Sequence, residues 1–128
     1  MMKSLRKRAN VTDSGSLANT LRKKRFARFL DIYRQFNGKT VSILDIGGTV
    51  NFWEQMHFTE EHCVITLVNP EVESSPYPNI ICEKGRAENL SQFGDNQFDI
   101  VFSNSVIEHL FIFENQQLMA SEVRRLAP

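Results

Sequence analysis

The stretch Val41-Ser42-Ile43-Leu44-Asp45-Ile46-Gly47-Gly48-Thr49 decides the architecture. A short apolar run closes on an acidic residue and a glycine pair. That is the pattern of a buried parallel strand entering a tight turn at the rim of a ligand pocket. A second run, Phe98-Asp99-Ile100-Val101-Phe102, has the same character and leads into Ser103-Asn104-Ser105-Val106-Ile107-Glu108-His109.

Working outward, the apolar runs predict a second strand over Cys63–Val68, a third near Asn79–Cys82 and a fourth over Phe98–Phe102, in which Phe98, Ile100 and Phe102 face one side and Val101 the other. Between the first two, a short helical or irregular segment is expected around Phe52–Glu61. A final helix is expected from about Glu114 to Leu126, with Met119, Val123 and Leu126 on one face. Strands alternating with helical segments imply βαβ units, a parallel sheet and right-handed crossovers. Upstream, Ser16 is suited to cap a helix that runs to about Phe36 and stops at Asn37-Gly38. Phe26, Phe29, Leu30, Tyr33 and Phe36 form one apolar stripe on it, with Arg22, Lys23, Lys24, Arg25 and Arg28 mainly off the stripe. The polar, basic residues before Ser16 read as a mobile arm. The expected division is therefore a basic arm and amphipathic helix over 1–38 and an α/β domain over 39–128.

Composition bounds the rest. A chain of 128 residues, 41% hydrophobic and with 10 phenylalanines, suits one folded domain with a modest core. Its zero net charge hides an asymmetry: residues 1–40 carry 11 Lys/Arg and 2 Asp/Glu, or +9, and residues 41–128 carry 4 and 13, or −9. No apolar run is long enough to span a bilayer, and the basic N-terminus leads into no signal-like apolar core. Cys63 and Cys82 each fall in a strand-like run and read as buried thiols of a cytoplasmic protein. His57 and His62, five residues apart, match no metal-ligand spacing and read as surface histidines, so no metal is expected.

The glycine turn narrows the chemistry. In the dinucleotide fingerprint G-x-G-x-x-G, the positions after Gly47 that should hold glycine hold Thr49 and Phe52. A pyrophosphate cradle is therefore not expected, which points away from NAD and FAD. Gly47 still lets backbone approach a ligand without a Cβ in the way.

Together, the Asp45–Thr49 turn and the Phe98–His109 segment resemble the first and fourth strand motifs of class I S-adenosylmethionine-dependent methyltransferases, specifically the broad type 11 group. The resemblance spans roughly Val41 to Leu126. It implies a Rossmann-like three-layer α/β sandwich, here in part, with strand order 3-2-1-4, preceded by the basic helix. It implies S-adenosylmethionine as cofactor, held by Asp45, Gly47, Gly48 and Thr49 at the turn. Of the family's acidic-x-Gly-x-Gly-x-Gly pattern, this chain keeps Asp45 and Gly47 and has Thr49 and Asn51 at the later glycine positions. The acidic residue that relatives place after strand two for the ribose hydroxyls is here Asn69 or, two residues on, Glu71. Where relatives have Gly-Asp-Ala after strand three, this chain has Gly85-Arg86-Ala87, so an adenine contact is lost or moved to Glu88. Ser103 and Asn104 are expected to border the methyl group, with His109 as the base if the acceptor must lose a proton.

Three functions follow. The first is methyl transfer to a small-molecule, lipid or glycan acceptor, in an incomplete version of the domain, since relatives order their strands 3-2-1-4-5-7-6. The second is a non-catalytic binding module or homo-oligomer that pairs through the edge of strand four, whose sequence is that of a central strand. The third is RNA methylation using the basic arm to grip phosphates. The basic helix itself admits three readings: it grips nucleic-acid phosphates, lies on an anionic membrane surface, or covers the cofactor pocket as a lid. Its aromatic stripe favours packing on the sheet domain with the charges solvated, with nucleic acid second.

Overall fold

The computed structural model describes residues 17–37, 39–59, 62–104, 110 and 112–128. Their elements run α1 (Leu17–Tyr33), a 3-10 turn (Arg34–Phe36), β1 (Val41–Ile46), α2 (Val50–Gln55), β2 (Cys63–Asn69), β3 (Ile80–Lys84), β4 (Ile100–Ser103) and α3 (Phe113–Leu126). Every strand pairing is parallel, in the spatial order β3-β2-β1-β4. This is the α/β Rossmann-like order expected from the sequence. Two compact units divide the chain between Gln35 and Phe36.

In the first unit, α1 brings aromatic rings together along one face. Phe26 and Phe29 lie 5.3 Å apart between centroids, and Phe29 and Tyr33 stack at 6.0 Å. These rings belong to the stripe read from the sequence. Ser16 and Gly38, expected to start and stop this helix, lie outside the described residues, as does the arm before Ser16.

In the second unit, β1 runs in register with both neighbours: Ile43 lies opposite Ile65 on β2 and Ile100 on β4. Side chains alternate across a sheet, so Leu44, Ile46 and Val68 share one face while Ile43, Asp45, Ile65 and Leu67 share the other. The first face meets Ala87, Leu90, Phe93, Phe98, Met119 and Leu126 in a buried cluster. Val101 and Val123 pack against this cluster too, so the face of α3 carrying Met119, Val123 and Leu126 points inward as read. Covered on both faces, β1 buries side chains of both orientations, with only Ser42 half-buried, and burying each Leu or Ile there contributes roughly 1.5–3 kcal/mol.

Two boundaries differ from the sequence reading. Strand β4 begins at Ile100, and Phe98 does not share the face of Ile100 and Phe102. Instead it joins the cluster on the Val101 side, edge-on to Phe93 at 5.2 Å. The cause is a bend at Asp99. Its N–H donates to the Ser42 carbonyl at 2.9 Å, and its carboxylate accepts from the Ser42 N–H at 3.0 Å and from Lys39 at 3.3 Å. The bend breaks the two-residue alternation. The helix after β1 also starts earlier and is shorter than expected. Thr49 caps it, its Oγ1 accepting from the Phe52 N–H at 3.2 Å, and His57, with φ of 55°, lies just past its end. A smaller difference concerns the cysteines: neither is in a disulfide and Cys63 is buried, but Cys82 is only half-buried.

The lead-in to β4 is held by α3. Asn96 and Phe98 donate backbone N–H groups to the carbonyls of Arg125 and Leu126, at 2.8 and 3.1 Å, so carbonyls left open by the helix end are satisfied. The Arg125 guanidinium donates to the carbonyls of Leu90 (3.0 Å) and Phe93 (2.8 Å) and to the carboxylates of Glu122 (2.9 Å) and Asp95 (3.0 Å). Glu122 in turn accepts from the Leu90 N–H at 2.6 Å. One planar cation thus ties residues 90–95 to the last turn of α3 and aims the chain into β4.

Candidate functional site

The C-terminal ends of β1 and β2 meet at a rim, where open parallel sheets bind ligands. Gly47 follows β1 with φ of 78°, a left-handed conformation that suits glycine, and its N–H donates to the Val68 carbonyl at 2.8 Å. Gly48 comes next, lying against Asp45. A Cβ built on Gly48 would meet Asp45 Oδ2 at 1.9 Å and Cγ at 2.2 Å. The second glycine of the pair therefore leaves room for a carboxyl group folded beneath the turn.

That carboxyl is the most unusual group in the described part of the chain. Asp45 is only 1% exposed. Its Oδ2 accepts from the Trp53 indole N–H at 2.8 Å, and its Oδ1 is buried with no hydrogen-bond partner. Burial pushes its pKa from 3.8 up to about 7, against the smaller opposing pull of the Trp53 bond. Trp53 is itself fully buried, packed on Phe102 at 5.8 Å, Phe52 at 5.4 Å and Phe58 at 5.5 Å. Since Phe102 lies opposite Asp45 in the β1–β4 register, the aromatic group covers the side of the sheet on which the carboxyl sits.

Beside the turn lies an open cleft of about 550 Å³, lined by Thr49, Asn69, Pro70, Glu71, Val72 and Glu73. This is within the range of small-molecule sites, about 300–1,000 Å³. Asn69 closes β2, and its Nδ2 donates to the Gly48 carbonyl, joining the two strand ends. That commitment leaves Oδ1, an acceptor, for a ligand. The loop beyond β2 is bound to α2 at two points. Glu73 accepts from the Val50 N–H at 2.7 Å, and the Tyr77 hydroxyl donates to Glu54 at 2.8 Å.

Thr49, Asn69 and Glu71 therefore share the cleft, Gly47 and Gly48 belong to the turn beside it and do not line it, and Asp45 is folded under that turn. Ser103 ends β4, where its Oγ donates to the Ile46 carbonyl at 3.2 Å, and Asn104 follows half-buried. His109 lies outside the described residues. After β3, Arg86 pairs with Glu88 at 2.9 Å, and this bond holds the Glu88 carboxyl below its ordinary pKa. Two participants escaped sequence reasoning. Trp53 stood in plain view as half of the Phe52-Trp53 pair, but nothing local aims an indole at an acid eight residues earlier. Glu73 sits in an irregular loop with no spacing signal at all.

A parallel sheet in the order β3-β2-β1-β4, with a glycine turn and an acceptor-lined cleft at its rim, is a Rossmann-like α/β fold. A family model described as a methyltransferase domain matches residues 44–128, and the chain belongs to that family, the type 11 group of class I S-adenosylmethionine-dependent methyltransferases. Among solved structures, the chain is similar to one described as a methyltransferase from an antibiotic biosynthesis pathway of Anabaena variabilis. The TM-score is 0.59 at 21% identity, over 80% of this chain and 42% of that one. It is also similar to a TehB-like SAM-dependent methyltransferase from Corynebacterium glutamicum, with a TM-score of 0.54 at 11% identity, over 84% of this chain and 68% of that one. These likenesses are of fold. The chain spans less than half the length of the Anabaena protein. No curated protein matches it.

S-adenosylmethionine is the cofactor of this domain. It carries a cationic sulfonium and ribose hydroxyls and has no phosphate. The cleft lining fits such a group: it offers acceptors on Thr49, Asn69, Glu71 and Glu73 and has no Lys or Arg. No described helix is long and apolar enough to cross a membrane.

Proposed function

We propose that the chain binds S-adenosylmethionine in the cleft between the β1 turn and the end of β2, and that its domain methylates a small-molecule, lipid or glycan acceptor. One observation carries the reading. The Asn69 amide nitrogen is spent on the Gly48 carbonyl, which leaves its Oδ1 as an acceptor on a residue that lines a cleft whose other polar side chains are Thr49, Glu71 and Glu73. When bound, the cofactor supplies an electrophilic methyl group on sulfur, which passes in line to the acceptor's nucleophile and leaves the sulfur neutral.

The chain's own residues bind and orient. Asn69 Oδ1 accepts from a ribose hydroxyl, and Glu71 is the neighbouring acceptor. Gly47 and Gly48 keep the rim free of side chains, while Ser103 holds the end of β4 to β1. His109 takes the acceptor's proton where one must leave. Titration calorimetry of the full chain with S-adenosylmethionine and its demethylated product tests the reading. Both are expected to bind, and Asn69→Ala is expected to weaken each about ten-fold, the equivalent of one hydrogen bond. No heat at millimolar cofactor, with the fold intact by circular dichroism, sinks it.

A second reading is favoured by one feature: among the described residues, β4 pairs only with β1. An unpaired parallel edge is a template for another chain. Association through β4 is expected to give a dimer by multi-angle light scattering that Val101→Pro converts to monomer. A monomer at high micromolar concentration removes this reading.

A further inference from the structure

Helix α1 carries two apolar faces, and the aromatic stripe accounts for one of them. Phe26, Phe29 and Tyr33 lie together on that side. On the other side, Leu17 is 74% exposed, Leu21 41% and Ile32 48%. These residues recur with Lys24 and Arg28 at i, i+4, i+7, i+11 and i+15, one face of a helix about 22 Å long. Lys24 and Arg28 are exposed at its middle, with Lys23 and Arg25 exposed beside it. The only acid in the helix, Asp31, is paired with Arg34 at 3.7 Å. The exposed face is thus aliphatic at both ends and cationic at the centre.

We propose that this face, Leu17-Leu21-Lys24-Arg28-Ile32, docks on an anionic membrane surface, with its aliphatic side chains in the headgroup boundary and its cations on lipid phosphates. Charge and chemistry select this occupant. Pairing with the same face of a second copy would bring Lys24 and Arg28 against like charges at the centre of the seam, whichever way the helices run. Single-stranded nucleic acid calls for flat rings on which bases stack, and the aromatic rings of this helix are on the other side. A lipid surface uses both components. Leu and Ile side chains gain by leaving water, and the long stems of Lys24 and Arg28 lie along the same apolar boundary while their heads stay at phosphate level. The +9 charge of residues 1–40 adds longer-range attraction to the same surface. Docking makes no use of the cleft, so it stands or falls separately from cofactor binding.

The test is co-sedimentation of the full chain with vesicles of phosphatidylcholine alone or mixed with phosphatidylglycerol, over a range of salt. Binding is expected to the mixed vesicles only, on the order of a hundred-fold tighter than to phosphatidylcholine and weakening as salt rises. The double variant Leu21→Gln/Ile32→Gln changes only exposed positions and is expected to lose at least about ten-fold, as is Lys24→Gln/Arg28→Gln. Equal binding to both vesicle types, or none, overturns the proposal. So does a polyuridine affinity that Leu21→Gln/Ile32→Gln leaves intact in a chain that ignores vesicles, which would make the partner RNA. A dimer that the same variant dissolves, again without vesicle binding, would make the partner a second copy and overturn it equally.

Discussion

Gly48→Ala is expected to destabilise the chain by about 3–5 kcal/mol and to abolish cofactor binding. The added methyl group would stand 1.9 Å from Asp45 Oδ2, far inside any real contact. The neighbour is not the end of a flexible surface chain that can swing into water. It is a carboxyl enclosed by the turn above and Trp53 beside it, so relief requires either the turn to lift or the bond to the indole to break. Lifting the turn moves the Gly48 carbonyl off Asn69, and the two strand ends lose the link that shapes the cleft. Gly94→Ala is the matched control. There the nearest atom to a new Cβ is Gln97 Oε1 at 3.9 Å, an ordinary contact, and the change should be close to neutral. Urea unfolding of the two variants reads the difference. Equal midpoints would mean that Asp45 does not occupy the space beneath Gly48.

Asp45→Asn is expected to stabilise the chain at pH 8 and to flatten its pH profile. The sign follows from which state holds the proton. In the unfolded chain Asp45 ionises near 3.8, whereas in the folded chain it does so only near 7. Between these values the native state binds more protons than the unfolded state, so stability falls as pH rises and levels off above about 7. The shift corresponds to about 4 kcal/mol across that window. The other displaced carboxyls act elsewhere. The Ser42 backbone N–H lowers the pKa of Asp99, and Arg125 lowers that of Glu122, so their contributions are lost only as acid drops the pH below the usual carboxylate range. An asparagine keeps an oxygen for the Trp53 N–H but has no proton to lose. Unfolding measured from pH 4.5 to 8 should therefore show a falling curve for the native chain and a nearly level one for the variant. A native curve that rises through this range would place an ionised, not a neutral, carboxyl under the turn. Calorimetry on the same variant separates two roles: unchanged cofactor affinity means Asp45 shapes the turn without touching the ligand through its charge.

Which parts of this could be read along the chain follows from how local their causes are. Strands β1 and β2 announce themselves because a parallel strand covered on both faces has no polar alternation to obscure it, and the start and end of Val41–Ile46 are marked by the polarity change and Gly47. The inward face of α3 is legible in the spacing of Met119, Val123 and Leu126. Strand β4 is only partly so. Its apolar content is evident, but the bend at Asp99 depends on Ser42, 57 residues away, and it moves Phe98 to the opposite face. On α1, the aromatic stripe stands out because aromatics dominate a hydrophobic pattern. The aliphatic face is interleaved with Lys and Arg, and only the exposure of Leu17, Leu21 and Ile32 reveals it.

The sequence by itself determined the alternation of strands and helices, the glycine turn at the end of β1 and, through the resemblance, the family and its strand order, because each is carried by short runs legible along the chain. Tertiary structure alone decided what the turn is for. Asp45 looks like a rim carboxylate in the sequence, but Trp53 and Gly48 enclose it, and enclosure sets its proton affinity through desolvation. Asn69, Glu71 and Glu73 become one cleft because β2 delivers them beside β1, a distance no linear spacing encodes. Burial and long-range contact are properties of the folded chain, and at this site they determine which groups are left to meet a ligand.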